Sequence, residues 1–400
     1  MSQTLPLDGV RILDLTRLLP GPYATQLLGD AGAEVIKVEQ PEIGDYMRAE
    51  EPRVPGGDSH VFATLNRNKS SVSLDLKDDR GREAFLTLAE TADAVIEGFR
   101  PGVVDRLGIG YDVVAERNES IVYCSISGYG QDSPYEQWAG HDINYIGVGG
   151  LLGMTGSPEE TPTIPGLPVA DFAGGMMGAH AVMVGLWKAA QTGEGEYYDV
   201  SMTDVIVSWL SLYAPLALNP DAEAPGRGGT MPAGKYPCYS VYETKDGKYL
   251  TVGAMEPHFW ENLCVELDLE EYANPADHFP ETDERIETVE AALASRFGER
   301  TLEEWMDRVD PAEIPIAPVN DLEEVWNDPQ AVERGLVQHV SGTDGDIPVV
   351  DNPLSDGSDT EWVRDDHPAL GEHSRAILAG AGLSTETIDE LIADGVIDSR

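Results

Sequence analysis

Val10-Arg11-Ile12-Leu13-Asp14-Leu15, the turn Pro20-Gly21-Pro22, the apolar run Tyr23 to Leu28, the stop Gly29-Asp30-Ala31-Gly32, and Glu34-Val35-Ile36-Lys37-Val38-Glu39 make up the stretch that decides the fold. The first and last runs are rich in Val, Ile and Leu and read as strands. The segment between them, opened by proline and closed by glycine, reads as a helix. Together they form a βαβ unit, which implies parallel strands joined by a right-handed crossover. The turn after the first strand reads Leu19-Pro20-Gly21-Pro22 in place of GxGxxG, so neither NAD nor FAD is expected.

The same alternation continues outward. Val72-Ser73-Leu74-Asp75-Leu76-Lys77 reads as a strand, and Asp78-Asp79 start a helix with Ala84, Phe85, Leu88 and Ala89 on one face. Ala94-Val95-Ile96-Glu97 and Ile121 to Ile126 are further strands, and about Gly174 to Lys188 is a long helix with Gly174, Gly178, Ala181 and Gly185 on one side. A Pro/Gly-rich stretch from Asn219 to Gly234 reads as a linker. After it, Lys245-Asp246-Gly247-Lys248 joins two strands as a hairpin, and Thr301 with Glu304 makes a capping box. The fold class is α/β: a Rossmann-like large domain in residues 1–220, a linker at 221–234, a smaller α/β domain at 235–318, and a return to the large domain with a helical tail at 319–400. Gly342–Thr360 is expected to be a solvated loop.

Seventy-two acidic residues against 26 basic ones give a formal charge of −46, while 41% of the chain is apolar. The apolar periodicity persists through the acidic regions, so a folded protein coated with carboxylates is expected rather than disorder. Such a surface resembles that of proteins from a salt-loaded cytoplasm, and it repels nucleic acid and anionic membranes as partners. Cys124, Cys238 and Cys264 form no CxxC pair, so neither a zinc site nor a disulfide framework is expected. No metal is called for. The beginning lacks a signal peptide and no apolar run reads as a membrane span, which makes the expected location cytoplasmic.

Two motifs carry the chemistry. Gly140-His141-Asp142-Ile143-Asn144-Tyr145 brings a histidine that can change charge near neutral pH, and Ala170-Asp171-Phe172-Ala173-Gly174-Gly175 follows with a carboxylate. An Asp before a helix is ordinarily an N-cap. The positive end of the helix dipole would also keep it ionised and available as a base or nucleophile. Arg67, Lys69, Arg100 and Arg106 cluster around two loops; ion pairs with surface acids and a phosphate site account for them equally well.

The wording of these stretches resembles the family III coenzyme A transferase superfamily (CaiB/BaiF type), and within it the α-methylacyl-CoA racemases. The resemblance implies that His141 and Asp171 are acid/base groups on the two faces of an enolate, with Glu256 and Asp142 tuning His141. It implies that Asn66 to Lys77 and Glu97 to Gly108 bind coenzyme A. Leu74, Leu76 and Lys77 would border the adenine, Arg100 and Arg106 would serve the phosphates, and Tyr239 would line the pocket. Gln40 stands where some racemases carry an arginine. The implied function is epimerisation of a 2-methylacyl-CoA, an isomerase without a cofactor beyond the CoA of its substrate, working as an interlocked homodimer. The alternative is a CoA-transferase that moves CoA between carboxylic acids through a covalent Asp171 intermediate. Because the surplus charge repels itself, the thermal midpoint is expected to rise between dilute buffer and molar KCl, and equal midpoints would contradict the salt-adapted reading.

Overall fold

Six parallel strands carry the larger of two units in the computed structural model, which describes residues 4–54, 57–342, 345–355 and 362–398. The larger unit comprises Met1–Gly149, Pro165–Trp209 and Pro329–Arg400; the smaller comprises Gly150–Ile164 and Leu210–Asp328. In the larger unit β1 (Arg11–Leu15), α1 (Pro20–Asp30) and β2 (Glu34–Glu39) form the βαβ opening. There follow β3 (Lys69–Ser73), α2 (Asp79–Ala89), β4 (Ala94–Glu97) and β5 (Val122–Ser127). Then come α3 (Asp142–Val148), α4 (Val169–Thr192), β6 (Glu196–Ser201) and α5 (Met202–Trp209). The strand order is β3-β2-β1-β4-β5-β6. This is the doubly wound order whose direction of winding reverses between β1 and β4, leaving a crevice at their carboxyl ends.

The third strand begins three residues earlier than the alternation suggests. Lys69–Ser73 pairs with β2, whereas Leu74 to Lys77 leave the ladder and lead into α2, with the Asp75 amide donating to Val396 O at 2.9 Å. The early start is possible because the charged residues of β3 and its approach are neutralised in place. Arg67 donates to both carboxylate oxygens of Asp30 at 3.0 and 2.7 Å, and Lys69 Nζ lies 3.1 Å from Asp14 and 2.7 Å from Thr25 Oγ1. Both cations are buried, so they are bound inside the unit and do not form part of a free basic cluster. Burial lowers the Lys69 ammonium to about 8 even with Asp14 beside it.

Helix α4 is longer than its sequence pattern suggests and begins before Asp171, at Val169. It is long and apolar enough to cross a membrane, but half of that stretch is buried within the fold. Its small residues explain why. A Cβ on Gly178 would come within 2.5 Å of Ile126, one on Gly185 within 2.5 Å of Val122, and one on Gly175 within 2.5 Å of the Pro20 carbonyl. The glycine stripe lets the helix lie directly on β5 and on the start of α1. Gly21, in the turn after β1, is likewise obliged to lack a side chain, since a Cβ there would overlap Thr16.

Residues 329–398 return to the larger unit. The antiparallel pair β10 (Val337–Gly342) and β11 (Gly345–Val350) occupies part of the segment expected to be loop, while 356–360 lie outside the described residues. Val340, Ile347 and Val349 bury one face of this hairpin against Val54 and Ala63, an alternation masked by the flanking Asp and Gly. Leu378 and Leu391, from α9 (Ser374–Gly380) and α10 (Thr385–Ala393), join the core of Leu13, Ile36, Val72 and Phe85.

The smaller unit holds an antiparallel sheet of β7 (Tyr239–Glu243), β8 (Tyr249–Gly253) and β9 (Ile316–Pro318). Helices α6 (Pro257–Glu266), α7 (Asp283–Phe297) and α8 (Leu302–Arg308) cover one face, packing Trp260, Leu293, Phe297 and Trp305 against Tyr242, Leu250 and Val252. The Thr301–Glu304 capping box is formed. For the larger unit, Asp30→Ala would leave the Arg67 guanidinium unpaired in the interior, at a cost of about 3–5 kcal/mol in denaturant unfolding. Because the pair is buried, that loss should persist in molar salt.

Candidate active site

The amino ends of α3 and α4 meet. His141 precedes α3 as its N-cap residue in extended backbone (φ −129°, ψ 176°), and its amide donates to Asn144 Oδ1 at 3.0 Å. Asp142, the first helical residue, directs its carboxylate across to α4. There Oδ1 accepts the amide of Ala170 at 2.6 Å and that of Asp171 at 3.2 Å. Pro168, at the N-cap of α4, has no side chain able to satisfy these amides. The carboxylate supplied from α3 therefore does the capping, which is why the helix can start at Val169 with Asp171 in its first turn. The sequence suggested that Asp171 caps the helix; the structure instead makes Asp142 the cap and leaves the Asp171 carboxylate free of that duty.

This arrangement also overturns the expectation that the helix dipole keeps Asp171 ionised. Partial burial and then the neighbouring Asp142 charge push Asp171 up from its ordinary 3.8 to about 7. Desolvation of the charged form and a like charge close by act in the same direction and outweigh the dipole.

Tyr145, at the end of the same motif, completes the corner and was not singled out from the sequence. Its hydroxyl donates to Gly140 O at 2.6 Å, and its ring meets Tyr129 edge-on with centroids 5.2 Å apart. A Cβ on Gly140 would approach the Tyr145 ring to 2.8 Å and one on Gly128 to 2.3 Å, so both glycines make room for it. Burial, and then Asp171, push the Tyr145 phenol up to about 12, while Arg100 opposes the shift. Arg100 thus acts on the same corner as Asp171 and Asp142. Beyond it, Tyr135 and Trp138 stack with centroids 4.0 Å apart and both contact Tyr129.

The residues assigned to coenzyme A fall into two groups. Lys77, Arg100 and Arg106 are exposed, and no described carboxylate pairs with any of them. Leu76 is half-buried on the core, while Leu74 is 1% exposed within it, so a ligand there could meet only its main chain. Tyr239 and Glu256 belong to the smaller unit. Tyr239 opens β7 opposite Gly253, and Glu256 follows three residues beyond Gly253 as the exposed N-cap residue of α6, with its carboxylate free of any cap bond.

The larger unit is thus an α/β unit of doubly wound order with a carboxylate in the first turn of α4. Comparison with known proteins gives the family. The profile of CoA-transferase family III matches residues 7–374, and the chain belongs to that family. It is 35% identical to the human succinyl-CoA:glutarate CoA-transferase over 100% of this chain and 92% of that protein. It is 33% identical to the human alpha-methylacyl-CoA racemase over 99% of this chain and 98% of that protein. Among solved structures, a CAIB/BAIF family protein from Brucella suis superposes with a TM-score of 0.82 at 30% identity, covering 95% of this chain and 100% of that one.

The Asp142–Asp171 arrangement has a direct test. Asp142→Asn keeps an oxygen able to cap α4 but removes the like charge, so the Asp171 midpoint, followed by carboxyl NMR, should fall below about 7. Since the folded value lies above the unfolded one, stability linked to Asp171 is full below about 4 and is lost as pH rises through about 7. Asp171→Asn should flatten that part of the stability profile. Asp142→Ala removes the cap as well and should cost about 0.5–2 kcal/mol.

Proposed function

We propose that this chain moves coenzyme A between carboxylic acids, with Asp171 as the nucleophile. The observation that carries the reading is the Asp171 carboxylate itself, set in the first turn of α4 and relieved of capping by Asp142. One oxygen of Asp171 attacks the thioester carbonyl of the donor, and the thiolate of CoA leaves, giving a mixed anhydride. The thiolate then attacks the aspartyl carbonyl and releases the first acid as its carboxylate. The resulting aspartyl-CoA thioester passes CoA to the second acid by the same two steps in reverse. A carboxylate held near 7 is a stronger nucleophile than an ordinary one and is still half ionised at neutral pH. The similarity to a human enzyme whose name states transfer between succinyl-CoA and glutarate supports a dicarboxylic substrate.

A second reading, epimerisation of a 2-methylacyl-CoA, is favoured by one observation. His141 and Asp171 stand at two helix starts bridged by Asp142, so two titratable groups occur together, as removal and return of a proton on opposite faces requires. In both readings Arg100, Arg106 and Lys77 serve the phosphates and adenine end of CoA. The chain is proposed to act as a homodimer, supported by the exposed apolar side of α4, where Met176, Met183, Val184 and Trp187 face outward.

One assay separates the readings. With succinyl-CoA and free glutarate the protein should transfer CoA, and Asp171→Ala should reduce the rate by about a thousandfold or more, while His141→Ala should retain most of it. With a 2-methylacyl-CoA in heavy water and no free acid, no deuterium should enter the 2-position. Deuterium uptake without transfer would establish the epimerase in its place.

A further inference from the structure

Arg17 lies two residues beyond Leu15, the last residue of β1, and Leu15 is paired in register with Glu97, the last residue of β4. It therefore stands beside Phe99 and Arg100 in the crevice where the sheet reverses its winding. Its guanidinium carbon lies over the ring of Phe99 at 5.0 Å and over that of Tyr46 at 5.1 Å, and it donates to the Tyr46 hydroxyl. That is its one hydrogen bond among the described residues, although a guanidinium has five donors.

The backbone that carries Arg17 is pinned from below by buried charge. The Thr16 amide and hydroxyl donate to Asp14 Oδ1 at 2.9 and 2.5 Å, and the Thr16 carbonyl accepts from Lys37 Nζ at 2.9 Å. Lys37 is itself 3.1 Å from Asp45, whose other oxygen accepts from the Leu18 amide at 3.3 Å. Leu18 is held at φ +66°, a conformation a branched aliphatic residue adopts only under such constraint. The loop is thus fixed before any ligand arrives, with Arg17 half-buried at its tip.

Pairing supplies an independent observation. Within the described residues of 4–149 and 165–209, every lysine and arginine but four lies within ion-pair distance of a carboxylate. The four are Arg17, Lys77, Arg100 and Arg106. In a chain with 72 acids and 26 bases, a preorganised arginine without a carboxylate partner is available to an external anion.

We propose that Arg17 holds an oxyanion of the substrate at the carboxyl ends of β1 and β4, either a phosphate of the coenzyme A portion or a terminal carboxylate of the acyl portion. The assignment rests on the acyl-CoA reading above. Its geometry suits the planar, two-point contact that guanidinium makes with either group. It also supplies a cation in a crevice where Gln40, at the end of β2, provides none.

Calorimetric titration of the full chain with coenzyme A and with pantetheine, which has the thiol arm but no phosphates, tests the proposal together with the KM values for succinate and butyrate. If the oxyanion is a phosphate, Arg17→Ala weakens CoA binding by about ten- to a hundredfold and leaves pantetheine unchanged. If it is a carboxylate, the succinate KM rises by the same factor and that for butyrate does not. Arg17→Lys, which keeps the charge but not the paired donors, should fall between, and it carries the comparison should Arg17→Ala fail to fold. Wild-type values for all four ligands in both variants overturn the assignment to Arg17. A wild-type protein that neither binds nor transfers CoA would overturn the functional reading instead.

Discussion

The Asp142 carboxylate reaches from the first residue of α3 to the amides of Ala170 and Asp171, and the geometry of the site follows from that contact. Without it, α4 would begin behind a proline with its first amides unsatisfied. With it, the two motifs of the chain are held together by one oxygen, and the Asp171 side chain is left over for chemistry. The same contact places two carboxylates side by side, and the resulting repulsion helps hold Asp171 near neutrality. Position and proton affinity thus have one origin.

Beneath this corner, the larger unit accepts a cost that most sheets avoid. Asp14, Lys37, Glu39 and Lys69 are buried on adjacent strands, with Asp45 and Arg48 closing the network from the following loop. Burial works against ionised Asp14, yet Lys69 and Lys37 hold it down at about 2. Such pairs add little net stability, but they have directional demands that apolar contacts lack. Here those demands are met by Thr16, Thr25 and the Leu18 amide, so the network fixes the loop at the carboxyl end of β1.

The glycines set the depth at which the parts can meet. Gly175, Gly178 and Gly185 let α4 settle onto α1 and β5, which brings Asp171 to the crevice edge, and Gly128 and Gly140 make room for Tyr145 beside it. Elsewhere the acid surplus is accommodated on the surface, where carboxylates outnumber the cations able to pair with them. Cations without a described carboxylate partner in the first half of the chain then stand out at the crevice.

Much of the fold was legible in the chain because it depends on local pattern. The βαβ opening, the strands at 94–97 and 122–127, the hairpin at 239–253 and the capping box at Thr301 all follow from alternation, turn chemistry and helix periodicity. The resemblance of the two motifs marked His141, Asp142 and Asp171 as belonging together. What the sequence could not provide was the partner of each charge, because partners come from distant positions: Asp30 for Arg67, Asp14 for Lys69, and the amides of α4 for Asp142. Those pairings make Arg67 and Lys69 buried supports, move the start of α4, and raise the proton affinity of Asp171. Residue types and their periodicity are local and can be read in one dimension. Desolvation and the distance between charges exist only once the chain has folded, and they decide which of those residues is free to act.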